Sequence, residues 1–348
     1  MFNTKIVLTG GAGFIGSHLA TSLLMSGSWV TVIDNLSTGR WKNVEHLNTN
    51  PRFRLIVASA DDMDLLEREV AKHDFVYHLA SSVGVKLIID QPVQTVRNIY
   101  KTTDALLSVC SKYRRPIVIT STSEVYGKSD QIPFKEDHDV VMGATSKRRW
   151  AYACAKALDE FLALAHHYET NLSVYIVRLF NTVGPRQTGR YGMVLPTLLE
   201  QAITGRPLTV YGTGTQTRCF CSVHDVVGGL VALLGRSRAA GTVINLGSEE
   251  EVSIMNLARR IKALTQSNSD IVLMPYEEAY GRGFDDMKRR VPDITRASQL
   301  LGWKPLKSLD EIIVEMIEFS RRGEDRGPVG EFAETAALSP QRLAMGLR

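Results

Sequence analysis

The stretch that most restricts the fold is Lys5-Ile-Val-Leu-Thr-Gly-Gly-Ala-Gly-Phe-Ile-Gly16, followed at once by Ser17-His-Leu-Ala-Thr-Ser-Leu-Leu24. A short β-branched run, a glycine cluster and a helical pattern come in immediate succession. Gly11, Gly13 and Gly16 have the G-x-G-x-x-G spacing, and Gly10, Gly13 and Gly16 the looser G-x-x-G-x-x-G. Missing side chains let a backbone approach a pyrophosphate, and the helix that follows offers free N–H groups at the positive end of its dipole. A glycine turn also serves a plain strand–helix connection, so context decides. Trp29-Val-Thr-Val-Ile33 reads as a second strand ending at Asp34, where a carboxylate hydrogen-bonds a ribose 2′-OH. Asp34 favours NAD over NADP, because it repels a 2′-phosphate. The loop Asn35-Leu-Ser-Thr-Gly-Arg40 would edge the adenosine, and its Arg40 argues the other way.

Further strands are expected at Arg54-Leu-Ile-Val57, Phe75-Val-Tyr-His-Leu79, Pro116-Ile-Val-Ile119 and Val174-Tyr-Ile-Val177, with a helix from about Val93 to Tyr113 between the second and third of these. Asp61-Asp62 suits a helix cap better than an adenine contact. His78, inside an apolar run, reads as a satisfied core histidine, and Ala80-Ser-Ser82 as backbone passing close to a cofactor. Alternating strands and helices predict an α/β fold of Rossmann type, a doubly wound parallel sheet, with a smaller α/β substrate-binding domain. Residues 1–182 form the first domain, 183–322 the second, with strands free to return between them, and 323–348 a mobile tail.

Two stretches carry chemistry. Thr120-Ser-Thr-Ser-Glu-Val-Tyr-Gly127 gathers hydroxyls and a carboxylate at the tip of the Pro116–Ile119 strand, where ligands of open α/β sheets sit. Tyr152-Ala-Cys-Ala-Lys156 puts a phenol and an ammonium one helical turn apart, and a neighbouring cation favours the phenolate as a general base. The helix that holds them is Ala-rich and apolar over more than one stripe, so it is deeply buried or faces a partner subunit. Lys147-Arg-Arg149, just before it, reads as a solvated or phosphate-facing run.

Beyond Arg178-Leu-Phe-Asn-Thr-Val-Gly-Pro185 the elements shorten. A glycine loop over 186–192 leads to a helix from Val194 to about Thr204, a strand at Pro207–Tyr211, another at Val243–Leu246 and a helix capped by Ser253. Arginines beside glycine turns suit a phosphorylated or nucleotide-bearing substrate. The net charge of +4 on 348 residues gives no argument for nucleic acid. No window has the apolar length to span a membrane, and a strand beginning at Lys5 leaves no room for a signal peptide. The four cysteines lack Cys-x-x-Cys spacing and read as free thiols, with no metal site expected and a cytoplasmic location.

In combination these motifs resemble the extended short-chain dehydrogenase/reductase enzymes that act on nucleotide sugars: epimerases, 4,6-dehydratases and uronate decarboxylases. The likeness runs from Lys5 to about Pro305. It rests on Thr9–Gly16, Asp34, His78-Leu-Ala80, Tyr152-x-x-x-Lys156, Arg178-Leu-Phe-Asn181, Gly184-Pro-Arg186, Leu208–Gly212, Arg218 and Gly302-Trp303. It implies NAD held by Gly10, Gly13, Phe14, Ile15, Gly16, Asp34, Asn35, Ser37, Thr38, Gly39, Leu79 and Ala80, with Tyr152 and Lys156. It also implies a UDP-sugar or other nucleotide sugar held by Asn181, Arg186, Val194, Leu208, Tyr211, Arg218 and Arg290. Tyr152 would take the sugar 4-OH proton, Lys156 would hold the nicotinamide ribose and depress the tyrosine pKa, and Thr122 would orient the 4-OH. Ser123, Glu124 and Arg290 complete the catalytic set. The helices containing Tyr152 and Thr102 would form the four-helix bundle of a homodimer. Thr122-Ser-Glu124 resembles UDP-glucuronate decarboxylases and GDP-mannose 4,6-dehydratases. Arg149-Trp-x-Tyr152 resembles the decarboxylase of the lipid A aminoarabinose pathway, and Leu208–Arg218 with Arg290-x-Pro-Asp-Ile294 resembles UDP-xylose synthases. Ala153-Cys-Ala155 and the loop Gln187–Gly192 depart from those decarboxylases. A UDP-glucuronate decarboxylase is the favoured reading; a 4-epimerase, a 4,6-dehydratase or a non-catalytic NAD-binding sensor or scaffold stand beside it.

Overall fold

The computed structural model describes residues 3–81, 91–189, 193–280, 287 and 289–323. Ser82, residues 190–192 of the glycine loop and the expected tail from 324 onward lie outside the described residues.

The chain runs β1 (Lys5–Thr9), α1 (Phe14–Met25), β2 (Trp29–Asp34), β3 (Phe53–Val57), α2 (Met63–Lys72), β4 (Phe75–His78), α3 (Pro92–Tyr113), β5 (Ile117–Thr122), α4 (Trp150–Thr170) and β6 (Val174–Leu179). There follow β7 (Thr182–Val183), α5 (Val194–Ile203), β8 (Leu208–Tyr211), β9 (Thr217–Cys219), β10 (Cys221–Ser222), α6 (Val223–Ala232), β11 (Thr242–Leu246), β12 (Glu251–Ser253), α7 (Ile254–Thr265), β13 (Ile271–Met274), α8 (Tyr276–Tyr280), α9 (Thr295–Leu301) and α10 (Leu309–Arg321).

Seven strands form one parallel sheet in the order β3-β2-β1-β4-β5-β6-β11. Successive side chains of a strand point to opposite faces, and both faces here are apolar, as a sheet covered on two sides requires. Ile6, Leu8, Val118 and Tyr175 pack beneath α1, α6 and α9, with Leu19, Leu23, Val226, Leu230, Ala297 and Leu301. Val7, Ile117, Ile119 and Val174 pack on the other face with Leu66 and Val70 of α2, Leu106 of α3 and Ala163 of α4. Local chemistry sets the helix ends. The Asp62 carboxylate accepts from Leu65 N–H, Ser253 Oγ from Asn256 N–H, and Gly302 closes α9 in the left-handed region at φ +66°.

The Val243–Leu246 run, read with the second half of the chain, belongs to the large sheet: β11 pairs with β6 from Thr242–Tyr175 to Leu246–Leu179. Its buried Asn245 is fully engaged. The amide donates to the Phe134 and Asp293 carbonyls, the side-chain oxygen accepts from Tyr126 OH, and the backbone N–H donates to Glu136 Oε1. The smaller lobe has its own core, in which Leu195 and Leu199 of α5, Leu208 and Val210 of β8, Leu257 and Ile261 of α7 and Ile312, Ile313 and Met316 of α10 meet. Strand pairs β8–β13 (parallel) and β9–β12 (antiparallel) edge it.

Candidate active site

A cavity of about 710 Å³ lies at the C-terminal tips of β1, β2, β4, β5 and β6, closed on its far side by the smaller lobe. The ends of parallel strands carry unpaired backbone groups and the first turns of the following helices, so a ligand there meets polar groups above an apolar sheet. Its wall contains Gly10, Gly13, Phe14, Ile15, Gly16, Asp34, Asn35, Ser37, Thr38, Leu79 and Ala80 on one side, and Thr122, Ser123, Glu124 and Tyr152 at its centre. Asn181, Arg186, Val194, Tyr211, Arg218 and Arg290 complete it.

The first group has the form of a dinucleotide cradle. Gly10 stands at φ +72°, where a Cβ would lie 2.6 Å from the Ala80 nitrogen, and a Cβ on Gly16 would sit on the Gly10 carbonyl oxygen. The turn is therefore as tight as glycine permits. It delivers the N-terminus of α1 to the cavity with no acidic residue in the first turn, which leaves the positive dipole end open to an anion. Asp34 is held ready: Oδ2 accepts from Ala12 N–H at 2.9 Å and Oδ1 from Leu36 N–H at 2.8 Å. Burial pushes its carboxyl up, and the two backbone bonds oppose that rise. Gly39 stands against the same carboxylate, behind the wall rather than on it. Asp61 reaches the wall, while its neighbour Asp62 is spent on the cap of α2.

The central group is held by ion pairs. Arg149 Nη1 donates to Glu124 Oε2 at 2.6 Å, and Arg290 Nη1 to Glu124 Oε1 at 3.3 Å, all three side chains being buried or nearly so. Burial pushes the Glu124 carboxyl up, but Arg149 and Arg290 more than reverse it and bring it down to about 2. Thr122 Oγ1 accepts from Glu124 N–H at 3.3 Å and also bonds the Tyr152 hydroxyl. Tyr152 is nearly fully buried, so its phenol stands well above the ordinary value, with the Glu124 charge adding to the rise and the Thr122 bond opposing it.

Three expectations change here. Lys156 is not on the cavity wall, and its Nζ donates to Asp159 Oδ2 at 2.8 Å; burial raises the Tyr152 phenol, where a depression by the lysine was expected. Leu208 turns into the core of the smaller lobe. Strand alternation instead sends its neighbours Thr209 and Tyr211 to the cavity. Within the run Lys147-Arg-Arg149, only the first two residues are exposed. Arg149 is buried against Glu124, one helical turn before Tyr152 and on the same face. Elsewhere, Arg186 donates to Ser17 Oγ at 3.2 Å, Asn181 Nδ2 to the Cys219 carbonyl at 2.8 Å, and Arg218 to the Thr217 carbonyl at 2.7 Å. His78 is a core residue, as expected. Its Nδ1 lies 2.8 Å from Thr9 Oγ1 and its Nε2 3.1 Å from Thr103 Oγ1. Burial brings it down to about 3. Gln94, Asn98 and Thr102 of α3 line the cavity without having been anticipated. The four cysteines are free thiols, and no group of three or more potential metal ligands occurs among the described residues. No helix of the described residues is long and apolar enough to cross a membrane.

A family model described as GDP-mannose 4,6 dehydratase matches residues 7–316. The chain belongs to that family. Among curated relatives of this dehydratase-family chain, the UDP-N-acetyl-alpha-D-glucosaminuronate decarboxylase of Bacillus cytotoxicus is 40% identical, over 92% of this chain and 99% of the relative. UDP-glucuronic acid decarboxylase 1 of Danio rerio is 36% identical, over 91% of this chain and 73% of the relative. Among solved structures, the UDP-glucuronic acid 4-epimerase of Bacillus cereus, in complex with UDP-glucuronic acid and NAD, superposes with a TM-score of 0.82. It is 30% identical and covers 91% of this chain and 99% of its own. The Rossmann-type sheet and the membership of an NAD-dependent epimerase and dehydratase family follow from these matches and the topology above.

Proposed function

We propose that this protein is an NAD-dependent UDP-uronate decarboxylase, with UDP-glucuronate as substrate. The observation that carries this reading is the buried Glu124 carboxylate held between Arg149 and Arg290. Both guanidiniums line the centre of the cavity beside the Tyr152 phenol. That suits a sugar whose C5 bears an anion, since a fork of N–H donors matches a carboxylate. A dehydratase would need Glu124 to remove a C5 proton, and the two arginines that lower its carboxyl oppose that role. The names of the relatives, decarboxylases of two related uronates, support the same choice.

The glycine turn, the α1 N-terminus and Asp34 would hold NAD, which would supply the acceptor for hydride from sugar C4 and the donor for its return. As the phenolate, Tyr152 would take the 4-OH proton, and Thr122, bonded to the Tyr152 oxygen, would orient that hydroxyl. The 4-keto uronate is a β-keto acid, so CO₂ departs with its electrons delocalised into the new ketone. Thr122 and Tyr152 are placed to donate to that oxyanion; the enolate then takes a proton at C5 from water, and Tyr152 gives the 4-OH proton back to the 4-oxygen as hydride returns to C4. Arg149 and Arg290 hold the carboxylate until it leaves, and Glu124 fixes both arginines. Arg186, Arg218 and Asn181, which do line the cavity, would meet the diphosphate or sugar.

The relative named for N-acetylglucosaminuronate supports a second reading, in which the sugar carries a 2-acetamido group. The protein acts in the cytoplasm as a homodimer through α3 and α4, whose outer faces expose Val93, Tyr100, Leu158 and Phe161. NMR of the anomeric protons with NAD and UDP-glucuronate tests the reaction. UDP-xylose or a 4-keto pentose with CO₂ release is expected. UDP-galacturonate without CO₂ would make the protein a 4-epimerase, and turnover only of the 2-acetamido uronate would move the assignment to that sugar.

A further inference from the structure

The turn that brings Arg186 to the cavity has a backbone shape that its sequence does not favour. Arg186 lies between β7 and α5 at φ +68°, in the left-handed region that a residue with a Cβ adopts at a cost. Such a conformation persists where surrounding contacts fix it. Two consecutive residues of α1 make contacts of that kind. His18 Nε2 lies 2.9 Å from the Pro185 carbonyl oxygen, and Arg186 Nη1 donates to Ser17 Oγ at 3.2 Å. A carbonyl can only accept, so Nε2 of this imidazole carries the proton and donates it. The imidazole is itself held on several sides. Its ring meets His224 of α6 edge to face, with centroids 5.0 Å apart, and Phe14 at 6.0 Å. His224 Nε2 lies 2.7 Å from Glu315 Oε1 of α10, and Glu315 Oε2 lies 2.5 Å from Lys307 Nζ. Neither Ser17 nor His18 is on the cavity wall, although Gly13 and Phe14, one turn earlier on the same helix, are.

We infer that His18 is a positioning residue: through its hydrogen bond to the Pro185 carbonyl it fixes the turn that aims the Arg186 guanidinium at the phosphates of a bound nucleotide. This rests on the reading that Arg186 meets the diphosphate, not on the identity of the sugar. A guanidinium binds phosphate best through two parallel N–H bonds, and that fork works only when its plane is aimed. A turn released from φ +68° relaxes toward negative φ and carries the side chain with it. Pro185 is buried, so a carbonyl that loses a donor there is not freely resolvated, and the turn has reason to move. The bond also ties the helix that begins at the glycine turn to the loop that leads into the smaller lobe. The cofactor side and the substrate side of the cavity are thereby held in one register.

The test is calorimetric titration of the NAD-loaded protein with UDP. His18→Leu, which has no donor, should bind UDP about three- to tenfold more weakly. His18→Gln, whose side-chain amide can donate to the same carbonyl, should restore the affinity. In the Arg186→Ala protein, His18→Leu should have no further effect, since a residue that acts only through Arg186 has nothing left to position. If His18→Leu does not fold, His18→Met, also without a donor, carries the same expectations. An unchanged UDP affinity in the donorless variant, an equal loss in His18→Gln, or the same loss again in the Arg186→Ala background would overturn the inference and leave His18 a packing residue of α1. Absence of UDP binding by the unsubstituted protein would overturn the nucleotide reading and this inference with it, an outcome distinct from the other three.

Discussion

Glu124 shows how much one side chain's surroundings can restrict its chemistry. Free in water it would titrate near 4.3; between Arg149 and Arg290 it titrates at about 2. A depressed carboxyl contributes stability that is fully present above its unfolded pKa and is lost as pH falls through the folded one. Here that window runs from about 4.3 down to about 2, and the full contribution is about 3 kcal/mol. Glu124→Gln should remove it and leave two buried guanidiniums without their counter-charge, a cost of about 3–5 kcal/mol near neutral pH. Urea unfolding of both proteins across pH 2–7 checks the prediction. The wild type should lose its advantage over the variant as pH falls through the window. A difference that does not depend on pH would show that folding leaves the carboxyl's pKa unshifted, and a wild type that loses stability as pH rises above about 4.3 would show a carboxyl kept protonated in the folded protein. Turnover by the variant should fall with its stability held constant by temperature, since the arginines lose the group that aims them.

Element by element, the parts readable from the sequence were those written in local spacing. The glycine turn, the strand ending at Asp34, the caps at Asp62 and Ser253, and the shared face of Tyr152 and Lys156 all depend on residues a few positions apart. What could not be read was pairing across the chain. Val243–Leu246 looks like any short strand, and nothing local says that it will complete the large sheet beside β6. The burial of Arg149 likewise needs Glu124, 25 residues away. Charge runs are usually solvated, and only the partner reverses that. At the glycine turn the local reading supports a graded prediction. A Cβ on Gly13 would lie 3.2 Å from the Gly10 carbonyl oxygen, a contact that a small shift relieves, whereas one on Gly16 would overlap that oxygen and the Gly11 backbone. Gly16→Ala should weaken NAD binding at least about tenfold, roughly 1.4 kcal/mol or more, and Gly13→Ala much less. Calorimetric titration with NAD separates the two, and equal losses would mean that the helix start is not what the cofactor senses.

At the scale of the whole molecule, the sheet's two faces are not covered alike. The face under α1, α6 and α9 is sealed by elements drawn from both halves of the chain, including Trp303, whose indole donates to the Asp225 carbonyl at 2.7 Å. Among the described residues, the face under α3 and α4 is covered by those helices and α2, and the outer surfaces of α3 and α4 expose apolar side chains among polar ones: Val93 is 62% exposed and Phe161 69%, with Tyr100 and Leu158 also exposed. A surface of that kind on two adjacent long helices is what a second copy covers when two helix pairs pack antiparallel or nearly so. It also bears on the site, because α3 supplies Gln94, Asn98 and Thr102 to the cavity wall, α4 supplies Tyr152, and Arg149 stands at the N-terminus of α4. Phe161→Glu, with its charge set in the middle of the proposed contact, should convert a dimer to a monomer at micromolar concentration while leaving the circular dichroism spectrum unchanged. Sedimentation equilibrium reads the result. If the unsubstituted protein is itself monomeric there, the apolar face has another occupant and the bundle is wrong. If the variant becomes monomeric and its turnover falls while NAD affinity holds, then the packing of α3 and α4 against their copies is part of what keeps Tyr152 and Arg149 in register.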